Sequence, residues 1–176
     1  MQNIFEDTYD ANSIVIIDIE ASSLSEDSYP IECAWLSIDG EEDSFLINPL
    51  SVNGWDDWDE RSESIHGIQR DALIESGISA YDAAVRLNKM LSGCLVISDY
   101  AGSDGFWMQR LYESVGMEME FVVVDIMEIA YTSNKMDKHS EFREMKSLAD
   151  IKHRALADCR QNLEFYLSLG LLTSKN

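Results

Sequence analysis

Proline and glycine are scarce, two and nine in 176 residues, and no stretch of Gly, Ser or Pro is long enough to act as a linker. With 45% hydrophobic content, that predicts a single domain over residues 1–176 with a core of its own. No repeat period is visible. Long apolar runs are missing too: no window approaches the roughly 20 residues needed to span a bilayer. The opening "MQNIFEDTYD" has neither the basic start nor the apolar stretch of a secretory signal, so a cytoplasmic protein with no membrane partner is expected. Cys33, Cys94 and Cys159 are odd in number and far apart, which argues against a disulfide framework or a zinc knuckle and for small buried side chains. Positive charge is the largest deficit. Thirteen Lys and Arg stand against 33 Asp and Glu, a formal net charge of −20. Such a surface repels nucleic acid and anionic membrane at long range, so a phosphate-bearing substrate needs bound cations or a local basic patch.

The pattern that is present reads as strands first. "SIVIIDI", "PIECAWLSI" and "DSFLIN" are three strand-like runs, and Asp39-Gly40 between the second and third is a hairpin signal. After Pro49 a polar, acidic loop, "SVNGWDDWDERSES", leads into "IHGIQRDALIESG". Ala80 to Leu91 has helical spacing and stops at Ser92-Gly93. Then follow a short buried strand "CLVIS", a helix "DGFWMQRLYESVG" closed by Gly116, and a strand "EFVVVDI". A helix over Ile126 to Tyr131, a polar break "TSNKMDKHS", a short helical piece around "EMKSLADI" and a last helix over Ala155 to Leu169 complete the chain. That order predicts an α/β fold with a mixed sheet of about five strands, the first three antiparallel, and helices on both faces.

The first strand ends "IDIEASSL". Side chains alternate along a strand, so Asp18 and Glu20 point to the same face, roughly 6 to 7 Å apart. Two such carboxylates repel unless a divalent cation sits between them, and oxygen ligands favour Mg2+ or Mn2+. Alone, the pair reads equally as two solvated acids at a strand end. Asp104 follows another strand at the start of a helix, where the dipole favours a carboxylate, and there it also reads as a capping residue; Asp99 competes for any role in that segment. His153 and Asp158 are five residues apart, a rotation of about 500° on a helix, so they converge only if His153 lies in the loop before the helix and Asp158 within it. A histidine in that loop beside a rigid aspartate suits a general base next to a metal site.

Taken in order, D-x-E on the first strand, an Asp after a middle strand and H-x4-D leading the last helix resemble the DEDD superfamily of 3′-to-5′ exonucleases. The match is to the histidine-bearing (DEDDh) branch, which includes oligoribonuclease, RNase T and the proofreading subunits of bacterial replicative polymerases. "YPIECAWLSIDG" is similar to the family's second strand with its Ile-Glu pair, "SIHGIQRDAL" to its His-Gly-Ile segment, and "HRALADCR" to the corresponding block of oligoribonuclease-like enzymes. Two departures stand out. "ASSL" replaces the Thr-Gly-Leu of many members, and Asp99-Tyr100-Ala101 stands where many have His-Asn-Ala.

The resemblance implies a ribonuclease H-like fold and hydrolysis with two divalent cations, Mg2+ or Mn2+. Asp18 would bridge them, Glu20 and Asp158 would complete the site of the attacking water, Asp104 would support the second cation, and His153 would take the proton. Ala21, Ser22, Ser23 and Leu24 would meet the 3′-terminal nucleotide, with Leu24 as wedge; His66 and Ile68 would line the groove, though His66 reads equally as a turn histidine. Trp107, beside Phe106 at the start of an amphipathic helix, either stacks a base or belongs to the core. The acidic surface favours a short or single-stranded nucleic acid, met by a few cations such as Arg70, Arg110, Lys152 and Arg154. Trp55 and Trp58 in the acidic loop are explained by a partner or homodimer contact or by packing under the loop. Two rivals remain: an inactive acidic binding protein, and a phosphodiesterase acting on dinucleotides.

Overall fold

The computed structural model describes residues 14–149 and 152–173; the "MQNIFEDTYD" segment, Ser13 of the first expected strand, and Asp150 and Ile151 of the expected "EMKSLADI" piece lie outside them. Five strands, β1 (Ile14–Ala21), β2 (Pro30–Ser37), β3 (Glu42–Leu46), β4 (Leu95–Ser98) and β5 (Val122–Asp125), form one sheet in the order β3-β2-β1-β4-β5. β1 pairs antiparallel with β2, as β2 does with β3, while β4 and β5 continue parallel to β1. This is the mixed sheet expected from the pattern. The β2–β3 turn uses Gly40 at φ +92°, a conformation glycine reaches without cost.

Among the described residues seven α-helices follow the hairpin: α1 (Glu60–His66), α2 (Arg70–Ser76), α3 (Ala80–Leu91), α4 (Ala101–Val115), α5 (Ile126–Thr132), α6 (Met136–Leu148) and α7 (Ala155–Ser168). α1 makes the end of the acidic loop more structured than a polar run suggests, and α2 follows it; Asp59 caps α1 by accepting the Arg61 and Ser62 N–H groups. The expected break at "TSNKMDKHS" shrinks to three residues, because α6 begins at Met136 and absorbs both the polar stretch and the start of the short piece after it. Only Phe142 of α6 is buried, which is why its amphipathic signal is faint.

Alternation on β1 divides the core. Val15, Ile17 and Ile19 face α3 and α4 in one apolar cluster; Ile14 and Ile16 face the other way, into a cluster with Phe142, Cys159 and Tyr166 of α6 and α7. Asp18 and Glu20 continue that second row, so they emerge on the side covered by α7, just past the end of its core. The β1–β2 register shifts between Glu20 and Ala21, an irregularity that releases the strand into the Ser22–Leu24 turn. Cys33 and Cys159 are buried and Cys94 is half-buried, all as free thiols. No helix among the described residues is long and apolar enough to cross a membrane.

Trp55 and Trp58 belong to packing rather than to an exposed surface. Trp55 is 4% exposed and stacks on Tyr29 with ring centroids 4.9 Å apart. The Trp58 indole N–H donates to Glu63 at 2.7 Å, and its ring meets His66 edge-on.

Candidate active site

One cleft of about 330 Å³ opens where the C-terminal ends of β1 and β4 meet the starts of α4 and α7. Asp18, Glu20, Asp104, His153 and Asp158 all line it, together with Leu24, Asp99, Tyr100, Trp107 and Lys146. Residues from four separate stretches of sequence are thus brought to one place.

Each arrives for a local reason. Asp104 sits in the first turn of α4, 5% exposed, and accepts from the Ser98 hydroxyl at 2.5 Å. Ser98 in turn accepts the Tyr100 N–H, and Asp125 at the end of β5 accepts the Ala101 N–H, so the β4–α4 turn is held from two strands. Asp158 lies in the first turn of α7, and His153 precedes that helix with φ at +48°, the left-handed region that costs a non-glycine residue of order 1 kcal/mol. The histidine is therefore in the loop and the aspartate in the helix, the only arrangement in which a five-residue spacing converges.

Glu32 holds that loop. It lies opposite Glu20 in the β1–β2 register, 4% exposed. Its carboxylate accepts two hydrogen bonds from the Arg154 guanidinium, at 2.7 and 3.1 Å, and one from the Ala155 N–H at 3.0 Å. The first turn of α7 is thus capped from the sheet, and His153 is carried next to Glu20. One ligand atom each from Glu20, His153 and Asp158 lie within 4.8 Å of one another, close enough for a single ion to bind all three.

The electrostatics fit a cation. Burial pushes the Asp18 carboxyl well above its ordinary range, and Asp104, Glu20, Asp99 and Asp158 push it further. Glu20 is raised to about 7, first by burial and then by Asp158 and Glu32. Asp104 is raised to about 8 by burial, against the Ser98 hydrogen bond. Burial likewise raises Asp158, against the opposing charges of Lys146 and His153. A donor set of oxygens and one imidazole with this much unrelieved repulsion suits a divalent cation.

The residues expected to meet substrate divide. Leu24 is 85% exposed at the cleft mouth. Ser22 and Ser23 are buried and engaged: Ser22 Oγ accepts the Tyr29 N–H, and Ser23 Oγ donates to Asp57, so they shape the turn that presents Leu24. Ala21 is buried at the strand end. His66 and Ile68 are buried and do not line the cleft; His66 Nδ1 accepts the Ile68 N–H, and burial lowers its pKa. Trp107 forms cleft wall at 8% exposure with its indole N–H on Ser28, whereas Tyr100 and Phe106, which line an adjoining hollow with Leu24, offer exposed aromatic faces. Of the expected cations, Arg70 reaches Asp56, Arg110 the carbonyls of Glu26 and Asp27, and Arg154 Glu32; Lys152 is exposed in a hollow beside Asp158. Sequence reasoning missed Lys146 altogether and gave Glu32 no role.

No protein-family model matches the chain, and no curated protein matches it. Solved structures do. The zinc-bound form of the E. coli exonuclease I complex with single-stranded DNA is similar with a TM-score of 0.65 at 12% identity, over 86% of this chain and 38% of that one. A moderately thermophilic exonuclease I from Methylocaldum szegediense gives a TM-score of 0.52 at 15% identity, over 66% and 28%. E. coli exonuclease I with a dA16 oligonucleotide gives 0.54 at 12% identity, over 66% and 28%. This chain therefore spans well under half the length of those exonucleases. At such identities the likeness is one of fold, and the fold is the ribonuclease H-like one of exonuclease I.

Proposed function

We propose that the protein is a metal-dependent 3′-to-5′ exonuclease of the histidine-bearing DEDD branch, acting on short or single-stranded RNA or DNA and releasing nucleoside 5′-monophosphates. The observation that carries this reading is the convergence of Asp18, Glu20, Asp104, His153 and Asp158 on one cleft from three stretches of sequence. The branch assignment rests on His153, whose place in the loop before α7 matches the H-x4-D pattern. Exonuclease I structures with single-stranded oligonucleotides supply the substrate class by analogy of fold.

Asp18, Glu20, Asp104 and Asp158 would hold two divalent cations, Mg2+ or Mn2+. When bound, such ions lower the pKa of the attacking water and stabilise charge on the attacking and leaving oxygens. His153 would accept the proton of the attacking water as its oxygen joins phosphorus, and the O3′ released when the P–O3′ bond breaks would take a proton from solvent. Glu32 and Arg154 keep His153 beside Glu20, and Leu24 separates the terminal nucleotide from its neighbour. Mounting Asp18 and Glu20 on a central strand fixes their separation more tightly than a loop could.

The test is hydrolysis of 3′- and 5′-labelled RNA and DNA oligonucleotides, down to dinucleotides, with Mg2+, Mn2+ or EDTA. Release of single nucleotides from the 3′ end, dependent on the cation and reduced at least a thousandfold in Asp18→Ala, is expected. Cleavage confined to dinucleotides would favour the phosphodiesterase instead. No cleavage of any substrate by folded, cation-loaded protein would leave the acidic binding protein as the better reading.

A further inference from the structure

The cleft holds one charge that the mechanism proposed above does not use. Lys146, in the last turn of α6, lines it beside the carboxylates. Its ammonium group is ion-paired with Asp99, and both side chains are largely out of water, 17% and 8% exposed. Asn162 of α7 donates to the other Asp99 oxygen at 3.2 Å. The pair is thus fixed by three elements: α6 carries the lysine, the end of β4 carries the aspartate, and α7 braces it. A surface pair would contribute little, but a desolvated ammonium among five carboxylates is held by all of them. The charge of Lys146 is felt at Glu20, Asp104 and Asp158, where it opposes protonation.

The two sides of the cleft differ accordingly. Glu20, His153 and Asp158 offer ligand atoms within 4.8 Å of one another. On the other side Asp104 is engaged by Ser98, and Asp99 by Lys146 and Asn162. A divalent ion arriving there meets an ammonium already in residence.

Building on the nuclease reading, we propose that Lys146 is the resident cation of the Asp99–Asp104 side, so that the free protein binds one divalent ion, on the Glu20–Asp158 side next to His153, and takes the second only with a phosphodiester. The phosphate oxygens then supply both a new partner for the ammonium and ligands for the incoming ion. Mg2+ and Mn2+ are commonly held this way, by a few carboxylates together with substrate phosphate. Lys146 thereby ties assembly of the complete site to the presence of substrate.

The experiment counts Mn2+ bound to the full chain, by calorimetry and by loss of the free-ion electron paramagnetic resonance signal. Native protein is expected to bind one Mn2+, and two when a phosphorothioate oligonucleotide is added. Lys146→Met is expected to bind two without nucleic acid, the second at least tenfold tighter than any second ion on the native chain. Lys146→Arg keeps the charge and is expected to stay at one. Thermal unfolding of each variant checks that α6 remains in place. Two ions on the free native chain, or one on Lys146→Met, would overturn the proposal. So would none on the native chain, and oligonucleotide hydrolysis by the same preparation then tells whether the nuclease reading falls with it.

Discussion

Replacing Glu32 by alanine should damage stability and activity together, because one carboxylate both caps α7 and anchors the loop that carries His153. Three contributions can be separated. The hydrogen bond from the Ala155 N–H, an orphan donor at a helix N-terminus, contributes about 1 to 2 kcal/mol. The Arg154 pair is bidentate but half in water, with the arginine side chain 51% exposed, so about 1 kcal/mol is appropriate. Emptying a buried position adds about 1 kcal/mol. Relief of the repulsion between Glu32 and Glu20 returns part of this. The net loss is then about 2 to 3 kcal/mol, and at 2 to 4 °C per kcal/mol for a chain of this size the midpoint falls by about 4 to 12 °C. Differential scanning calorimetry measures the shift, and hydrolysis of a labelled oligonucleotide at saturating Mg2+ measures the rate, expected to fall at least tenfold. Arg154→Ala leaves the helix cap intact and should cost only about 1 kcal/mol. An alanine at 32 that unfolds within 1 °C of native would refute the reasoning. If instead Arg154→Ala proves as costly as Glu32→Ala, the weight lies in the ion pair and not in the cap.

Without metal, stability should fall as pH rises. Asp18, Glu20 and Asp104 bind protons more tightly folded than unfolded, so their contribution is complete below about pH 4 and is lost through about 7 for Glu20 and about 8 for Asp104. Urea midpoints in EDTA at pH 5.5 and 9 should show a loss of a few kcal/mol that Mn2+ restores and that Asp104→Asn reduces; an unchanged pH slope in the variant would contradict the assignment. Gly77→Ala should cost about 2 to 3 kcal/mol, since its Cβ would lie 2.4 Å from the Leu73 carbonyl oxygen and 2.7 Å from the Asn48 nitrogen, backbone on both sides. A loss under 0.5 kcal/mol by urea unfolding would show that the α2–β3 junction yields.

The sheet and the carboxylates were legible because strand alternation is short-range: Ile14 and Ile16 in the core dictate where Asp18 and Glu20 point, whatever packs above them. The placement of His153 and Asp158 was legible for the same reason, as helical rotation allows only one convergent arrangement. Partners distant in sequence were not. Glu32 and Arg154 are 122 residues apart, and nothing local marks one as the other's clamp. Lys146 was hidden in a stretch whose helix buries a single apolar side chain, so the pattern that would orient a lysine was missing. Trp55 likewise waited on Tyr29, whose ring covers it from across the Ser22–Ser28 turn.

Charge partnership divides the acidic side chains of this cleft. Six acidic side chains gather around it, and two have a fixed cation: Glu32 has Arg154 and Asp99 has Lys146. The other four, Asp18, Glu20, Asp104 and Asp158, have no lysine or arginine in direct contact, and burial raises the proton affinity of every one. A folded chain tolerates such a group only if a proton or a cation neutralises it; with Glu20 at about 7 and Asp104 at about 8, protons serve up to near neutral pH and a cation is needed above it. The four without an ion-paired lysine or arginine are also the four that the D-x-E, Asp and H-x4-D patterns single out. Two independent arguments, one from spacing in the sequence and one from unbalanced charge in the fold, therefore select the same side chains. An acidic protein built only to repel or to mimic would have no reason to bury these four where they repel one another, when its surface had room for them.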